Sequence, residues 1–225
     1  MIKKILMAGL VIASAAFQSC TKNDDGPSDV LAVVTVKNNE GKTFFQLDDE
    51  KTITPLNFSA ETYKWKEVRA MCRLRDMKET NARTFSATVV AIDSMRTKNA
   101  VAYIPGTSLD KYGTDGIDIK ATFATVLEDG YLTLHFGTYM AGTGITHEIN
   151  LIEGAYTDEP SVVELRHNAH GDIPSVFGEG YIAFKLDKLA NAKEIKIRYY
   201  SALYQRTIEY TLKRGESTNS NNFHE

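Results

Sequence analysis

One short segment of the sequence gathers the residue types that bind metals. Residues 166–172 read Arg-His-Asn-Ala-His-Gly-Asp, so His167 and His170 are followed at once by the carboxylate of Asp172. Imidazole nitrogens and carboxylate oxygens are both ligands for divalent metals such as zinc. The segment follows a predicted strand and precedes Pro174, so it lies on a loop, where spacing does not fix geometry. No third histidine or cysteine lies nearby in the sequence, and we predict a structural loop with no metal.

The other candidates for chemistry are weaker. His147 shares a strand face with Ile149 and Leu151, which predicts a half-buried, hydrogen-bonded imidazole, whereas His135 beside Thr133 is predicted to be exposed. The sequence contains no Gly-x-Ser-x-Gly elbow, glycine-rich phosphate loop or Cys-x-x-Cys pair. Its acidic residues cluster in turns, where they are common for conformational reasons. The sequence therefore predicts no catalytic residue, no cofactor and no enzymatic activity.

Three arginines alternate along another predicted strand. Residues 68–77 place Cys72 on an apolar face and Arg69, Arg73 and Arg75 on a polar face. On an OB-type barrel such a polar face can bind an anionic ligand, but we favour a solvated face that neighbouring acidic residues balance. Cys72 is predicted to be a buried core thiol. The formal net charge of −3 argues against nucleic acid as a partner.

The first residues have the features of an export signal that ends at a cysteine. Two lysines precede an uncharged segment at residues 5–17, which is too short to span a bilayer. Cys20 follows a small residue, and polar, acidic sequence comes after it. This resembles a lipoprotein signal, which is cut before the cysteine while the thiol is acylated. The alternative is an ordinary cleaved signal in which the cysteine occurs by chance.

These features predict a signal peptide at residues 1–19, a lipidated tether at residues 20–29 and a lipid anchor, such as palmitate, at Cys20. Two or more acyl chains hold a protein stably on a membrane. We expect the outer membrane, and we leave open whether the protein faces the periplasm or the cell surface. Loss of the signal removes two lysines, which makes the formal net charge −5.

The rest of the chain is rich in residues that favour strands, and it shows no helical stripe. A helical turn is predicted at residues 60–66. The first group of predicted strands lies at residues 30–37, 43–47, 52–56, 68–77 and 84–92. Five short strands at this spacing predict an all-β fold that begins with a small OB-type barrel at residues 30–98.

The second group of predicted strands is longer and more regular. It lies at residues 119–127, 131–139, 145–152, 161–166, 180–186, 195–201 and 207–213, after a short strand at residues 100–104. Asp129-Gly130 predicts a tight hairpin turn, because both positions suit positive φ. About seven antiparallel strands in about a hundred residues predict a β-sandwich at residues 99–214, with a flexible tail at residues 215–225.

This layout resembles the NigD-like lipoproteins of Gram-negative anaerobes. The resemblance rests on the signal ending at Cys20, on Val-Glu-Leu-Arg-His-Asn at residues 163–168, on Gly-Tyr-Ile-Ala-Phe-Lys-Leu at residues 180–186, and on the strand at residues 131–134. It implies an OB-like domain followed by a β-sandwich. It also implies a link to bacteriocin immunity, and it supplies no catalytic residues.

The sequence favours a non-catalytic binding or scaffold module of the cell envelope. Two alternatives stay open: a bacteriocin immunity protein, and an accessory protein that binds a glycan or a peptide. Tyr200 and Tyr204 flank a predicted hairpin turn, where tyrosine offers a large contact area with a polar tip, and they are the predicted ligand-binding residues. The expected partners are the membrane, through Cys20, and a protein or a glycan.

Overall fold

The computed structural model describes residues 29–142 and 144–216, so the predicted signal peptide, Cys20 and most of the predicted tether and tail lie outside the described residues. The predicted fold class is confirmed: a small closed barrel is followed by a β-sandwich. Short 3₁₀ turns lie at Ala60–Tyr63, within the predicted helical turn, and at Leu109–Tyr112. The strands are β1 (Val30–Asn39), β2 (Lys42–Gln46), β3 (Thr52–Pro55), β4 (Glu67–Asn81), β5 (Thr84–Ser94), β6 (Arg96–Asn99), β7 (Val101–Ala102), β8 (Asp118–Lys120), β9 (Val126–Glu128), β10 (Tyr131–Met140), β11 (Glu148–Glu153), β12 (Val162–Asn168), β13 (Val176–Lys185), β14 (Glu194–Tyr200) and β15 (Thr207–Lys213).

The first five strands close into a barrel in the order β1-β2-β3-β5-β4. Alternation along β4 places Ala70, Cys72 and Leu74 inside, where all three are fully buried against Val34 and Phe45. Register shifts between β4 and β5 bend these long strands around the barrel. The prediction of a core thiol is confirmed, because Cys72 has no exposed surface and its burial raises its pKa to about 12.

The remaining strands form two packed sheets. One has the order β6-β13-β10-β8, with β9 also paired to β10, and the other has the order β15-β14-β12-β11-β7. Leu134 and Phe184 from the first sheet pack against Leu151, Leu165 and Ile197 from the second. Hairpin neighbours pair antiparallel, whereas β12–β14, β13–β6 and β11–β7 pair in parallel. The sheets enclose one apolar core.

The predicted continuous strand at residues 119–127 is wrong, because the chain leaves the sheet between β8 and β9. Ala124 turns toward the barrel and is fully buried there. The hydroxyl of Thr125 accepts the N–H of His135 at 3.1 Å and donates to the carbonyl of Lys120 at 2.6 Å, in place of ladder bonds. Packing against the other domain therefore overrides the strand periodicity.

The predicted hairpin turn is present, and it docks on the barrel. Asp129 and Gly130 have φ values of 49° and 75°, as a tight turn requires. Lys37 donates to the Asp129 carboxylate at 2.7 Å, and the Asp129 N–H donates to Asp49 at 2.8 Å. Asp49 also accepts from Arg214 at 2.9 Å. Barrel residues thus hold both the hairpin and the end of the last strand.

Arg69 lies at the centre of this contact between the domains. Its side chain has no exposed surface. It donates to Glu128 at 2.8 Å, to Thr133 at 3.2 Å and to Thr35 at 3.0 Å. Burial raises the pKa of Glu128 to about 7, and the guanidinium of Arg69 opposes that shift. A charged pair with two hydroxyl partners is therefore enclosed between barrel and sandwich.

The predicted solvated arginine face is wrong for Arg69, because the sandwich covers the first half of that face. Arg73 and Arg75 lie further along β4, stay exposed and pair with Asp29. An apolar patch seals the contact around Arg69: Val33, Met71, Met95, Ala124 and Val126.

We predict that Arg69→Ala lowers the free energy of unfolding by about 3–5 kcal/mol, because it leaves the Glu128 carboxylate buried without its cation. The double variant Arg69→Met, Glu128→Leu should recover most of that loss, since both charges are then removed. Equilibrium unfolding in urea measures both effects. Arg73→Ala, on the exposed half of the same strand, is the matched control and should leave the unfolding midpoint unchanged. A double variant no more stable than Arg69→Ala would contradict this account.

Candidate functional site

The end of the sandwich that lies farthest from the barrel is built from loops. β10 starts at Tyr131 beside the barrel, and ten residues at about 3.3 Å each carry it about 30 Å to Met140. The connections β7–β8, β10–β11, β12–β13 and β14–β15 all meet there. We call this the distal end.

Two histidines and an aspartate tie these connections together. His167, at the end of β12, is almost fully buried, and its Nδ1 lies 3.0 Å from the carbonyl oxygen of Gly116. Its Nε2 lies 2.9 Å from Nδ1 of His147, whose Nε2 lies 3.1 Å from Asp172. Asp172 also accepts the N–H of Ala141 at 2.8 Å. This row of bonds joins three of the four connections.

The contacts and the lowered pKa of His167 indicate how its ring bonds. The Gly116 carbonyl can only accept, so Nδ1 of His167 donates to it. The lowered pKa favours a neutral ring, whose Nε2 then accepts a hydrogen bond from His147. Burial, and secondarily the charge of His147, lowers the pKa of His167, while Gly116 and Asp115 oppose the shift.

This arrangement is a hydrogen-bonded structural clasp. The ring nitrogens of His147 and His167 lie at hydrogen-bond distance, whereas two nitrogens on one zinc ion, each at about 2.0–2.1 Å, lie about 3.3 Å apart. His170 stays outside, with φ of 51° and an exposed ring 3.9 Å from Glu148. Across residues 29–142 and 144–216, no group of three or more His, Cys, Asp or Glu side chains could hold a metal ion. The structure thus joins His167 to Asp172 through His147 and leaves out His170.

The structure confirms the prediction for His147 and contradicts the one for His135. The ring of His147 is largely enclosed and hydrogen-bonded. His135 was predicted to be exposed, but it is 9% exposed because Tyr181 on β13 stacks on its ring at 4.5 Å. Its nitrogens contact Glu179 at 3.0 Å and Thr122 at 3.2 Å. A cross-strand aromatic neighbour, which period-two alternation does not reveal, accounts for the burial.

The β14–β15 hairpin presents apolar side chains at the distal end. The Asp118 carboxylate accepts the N–H of Leu203 at 3.0 Å and the hydroxyl of Ser201. Gly116 packs so closely on the hairpin that a Cβ there would lie 2.5 Å from the Cα of Ala202. The exposed side chains are Tyr200 (39%), Leu203 (52%) and Tyr204 (63%). The predicted binding tyrosines therefore project from a turn that is held in place by hydrogen bonds and close packing. Gly116, which packs on this turn, also accepts a hydrogen bond from His167 through its carbonyl oxygen.

We predict that the stability contributed by His167 is lost as the pH falls below about 6.5, the pKa of histidine in an unfolded chain, while the raised pKa of Glu128 acts in the opposite direction over the same range. The lowered pKa of His167 means that the unfolded chain takes up the proton first, so the stability from the neutral ring is present above that pH and is lost below it. The loss is at most about 1.4 kcal/mol per pH unit for this residue.

Urea unfolding at about pH 7.5 and about pH 5.5 measures this dependence. The stability difference between the wild type and His167→Gln isolates the His167 contribution, and it should be smaller at the lower pH. His170→Gln, which changes the exposed histidine of the same segment, is the control, and its difference from the wild type should be the same at both pH values. An equal change for both variants would rule out the buried clasp as the cause.

The sequence matches two family models that together span most of the described chain. Residues 33–95 match the NigD-like N-terminal OB domain, and residues 100–213 match the NigD-like C-terminal β-sandwich domain. No curated protein is similar to the chain at a significant level. Within residues 29–142 and 144–216, no helix has the length and apolar character needed to cross a membrane.

Several solved structures share this architecture. A protein of Parabacteroides distasonis, provisionally described as toxin-related, is 26% identical, covers 83% of this chain and 93% of its own, and has a TM-score of 0.65. A NigD-like immunity protein of Bacteroides caccae is 23% identical, with coverage of 82% and 93% and a TM-score of 0.54. A protein of Bacteroides fragilis, provisionally described as a lipoprotein, is 14% identical, with coverage of 84% and 100% and a TM-score of 0.55. None of the three is described as an enzyme. The domain matches, the barrel and the sandwich together assign this chain to the NigD-like family.

Proposed function

We propose that this chain is a lipoprotein of the outer membrane, anchored through acylated Cys20, that binds a protein partner at the distal end of its sandwich and catalyses no reaction. The observation that carries the proposal is the exposed hairpin of Leu203 and Tyr204, which the Asp118 carboxylate and the close packing of Gly116 hold in place. Loops held in this way, with a tyrosine and a leucine exposed, bind with little loss of entropy.

The geometry also suits a tethered binder. Asp29, the first described residue, lies at the start of β1 beside Arg73 and Arg75, away from the contact with the sandwich. The other end of β1 reaches the sandwich through Lys37. The described chain therefore starts on the side of the barrel away from the sandwich. The distal end of the sandwich lies on the opposite side from that start. A membrane anchor upstream of Asp29 would leave that end free for a partner.

The absence of catalysis rests on how the best candidate residues are used. His147, His167 and Asp172 engage one another and main-chain groups, so within the described chain this cluster offers no free nitrogen to a substrate. Its ends are a backbone carbonyl and a carboxylate, and neither is a nucleophile of the kind that a histidine activates.

Bacteriocin immunity is a second candidate, and it is a special case of protein binding. The Parabacteroides distasonis relative is provisionally described as toxin-related, and the Bacteroides caccae relative as an immunity protein. A toxin would then be the partner that contacts Tyr204. A glycan partner remains the alternative that the experiment must separate.

The test uses cells that produce the full chain. Cys20→Ala should move the protein from the membrane fraction to the soluble fraction, because no acyl chains then hold it. Cys72→Ala is the matched control and should stay with the membranes, since Cys72 lies inside the barrel. If both variants partition like the wild type, the anchor is not at Cys20.

A photo-crosslinking side chain at Tyr204, in the same cells, should yield a discrete adduct that mass spectrometry identifies as protein. The same group at Tyr63, an exposed tyrosine of the barrel at 54% against 63% for Tyr204, should yield none. A glycan adduct at Tyr204 would show that the partner is a glycan and not a protein. Adducts at neither position would contradict the binding function.

A further inference from the structure

The sandwich of the described chain has a long open sheet edge. The barrel closes on itself and leaves only partial edges where a neighbouring strand is shorter, as along β5 after Ala87. In the sandwich, the edge strands β6, β7, β8 and β9 have four, two, three and three residues. β15, at the other edge, has seven, and β13 is also unpaired on its outer side over residues 176–181. Short edge strands give a foreign strand little to pair with, and Gly178 and Gly180 weaken the open part of β13, so β15 offers the longer and more regular template.

Two bonds at the ends of the β14–β15 ladder show which backbone groups face outward. Arg206 accepts from the N–H of Ser201 at 2.9 Å, and the N–H of Arg214 donates to Lys193 at 2.8 Å. In an antiparallel ladder the bonded positions alternate, so the even-numbered residues of β15 bond to β14. The odd-numbered residues turn their N–H and C=O groups away.

Those outward groups belong to Thr207, Glu209, Thr211 and Lys213, and the Lys213 carbonyl accepts the N–H of Glu216 at 3.3 Å. No other residue in the described ranges makes a hydrogen bond with the backbone atoms of Thr207, Glu209 or Thr211. The strand contains no proline, glycine or register shift that would blunt the edge. Arg198 on β14 holds the Glu209 carboxylate at 2.9 Å, so the charge of that side chain is neutralised rather than presented to an approaching strand.

The two ends of the edge differ. The exposed side chains of Leu203 and Tyr204 lie just before β15 begins. At the other end, Arg214 binds Asp49 of the barrel, and the N–H of Gly215 donates to Leu127 at 3.4 Å. The barrel therefore crowds one end of the edge and leaves Thr207 to Thr211 open. That space suits a short extended segment better than a second copy of this two-domain chain.

We propose that β15 binds an extended segment of a partner protein, which adds to the sheet as a further strand and ends against Leu203 and Tyr204. Only a peptide backbone presents donors and acceptors at the alternating spacing that this edge offers. The half-buried Ile208 favours apolar side chains on the core side of the segment, and Glu209 and Thr211 favour polar ones on the other. The inference rests on the proposed function for the existence of a partner and adds where and how that partner binds.

The test selects short linear peptides from a phage-displayed random library on the purified full chain and measures their affinity for two variants. Thr211→Pro removes one outward N–H without breaking a bond to β14, so the sheet should remain intact. Thr211→Ala removes the same side chain and keeps the N–H. Selected peptides should bind the wild type and Thr211→Ala alike, and should bind Thr211→Pro at least about tenfold more weakly.

A second measurement, made on the wild type alone, tests the inference even if the proline variant folds poorly. In the wild type, bound peptide should slow hydrogen exchange at the amides of Thr207, Glu209 and Thr211. Failure to select any peptide, unchanged exchange, or equal binding to Thr211→Pro would each overturn the inference. A wild-type dimer that Thr211→Pro converts to a monomer would show that the occupant is a second copy, which also overturns it. If the Tyr204 adduct still forms in cells that produce Thr211→Pro, the proposed function stands and only the strand-addition inference fails.

Discussion

Enclosing a guanidinium between two domains is costly unless its nitrogens find acceptors, and each of the three Arg69 nitrogens finds one only when barrel and sandwich sit in one arrangement. Its partners come from both: Thr35 from the barrel, and Glu128 and Thr133 from the sandwich. Any rotation of one domain would leave a buried charge without its partner. The free energy that this costs is far larger than the stability that an exposed ion pair contributes. The apolar contact of Val33 with the sandwich adds buried surface but does not by itself select one relative orientation of the domains. The polar partners of Arg69 fix that orientation.

The contact around Arg69 also constrains the position of the distal end, because strand β10 connects the two. Glu128 ends β9, the Asp129 turn docks on the barrel, and β10 then crosses the whole sandwich. Near the far end of β10, the Thr138 hydroxyl donates to the Gly116 carbonyl at 2.8 Å, the same oxygen that His167 contacts. The loops that carry the proposed binding surface are thus set on a frame anchored at the barrel. Loops held in this way lose little entropy when a partner binds.

Local patterns predicted the parts of this structure that local physics decides. Strand alternation placed Cys72 in the barrel core, and the Asp129 turn follows from its residue types. Alternation also placed Arg69 on the outer face of β4, but it cannot tell solvent from another domain. Interactions between distant segments were missed for the same reason. His147 and His167 are twenty positions apart, and only the fold brings their rings within 2.9 Å.

The most direct test of a rigid two-domain body is the relative orientation of the domains in solution. Backbone residual dipolar couplings, collected on one weakly aligned sample of the wild-type chain, report the alignment of barrel and sandwich separately. If the buried contact around Arg69 fixes the arrangement, couplings from residues 33–95 and from residues 100–213 will fit a single alignment tensor when barrel and sandwich keep the relative orientation described above. Two tensors of different magnitude or orientation would show that the domains move independently, and would contradict the account.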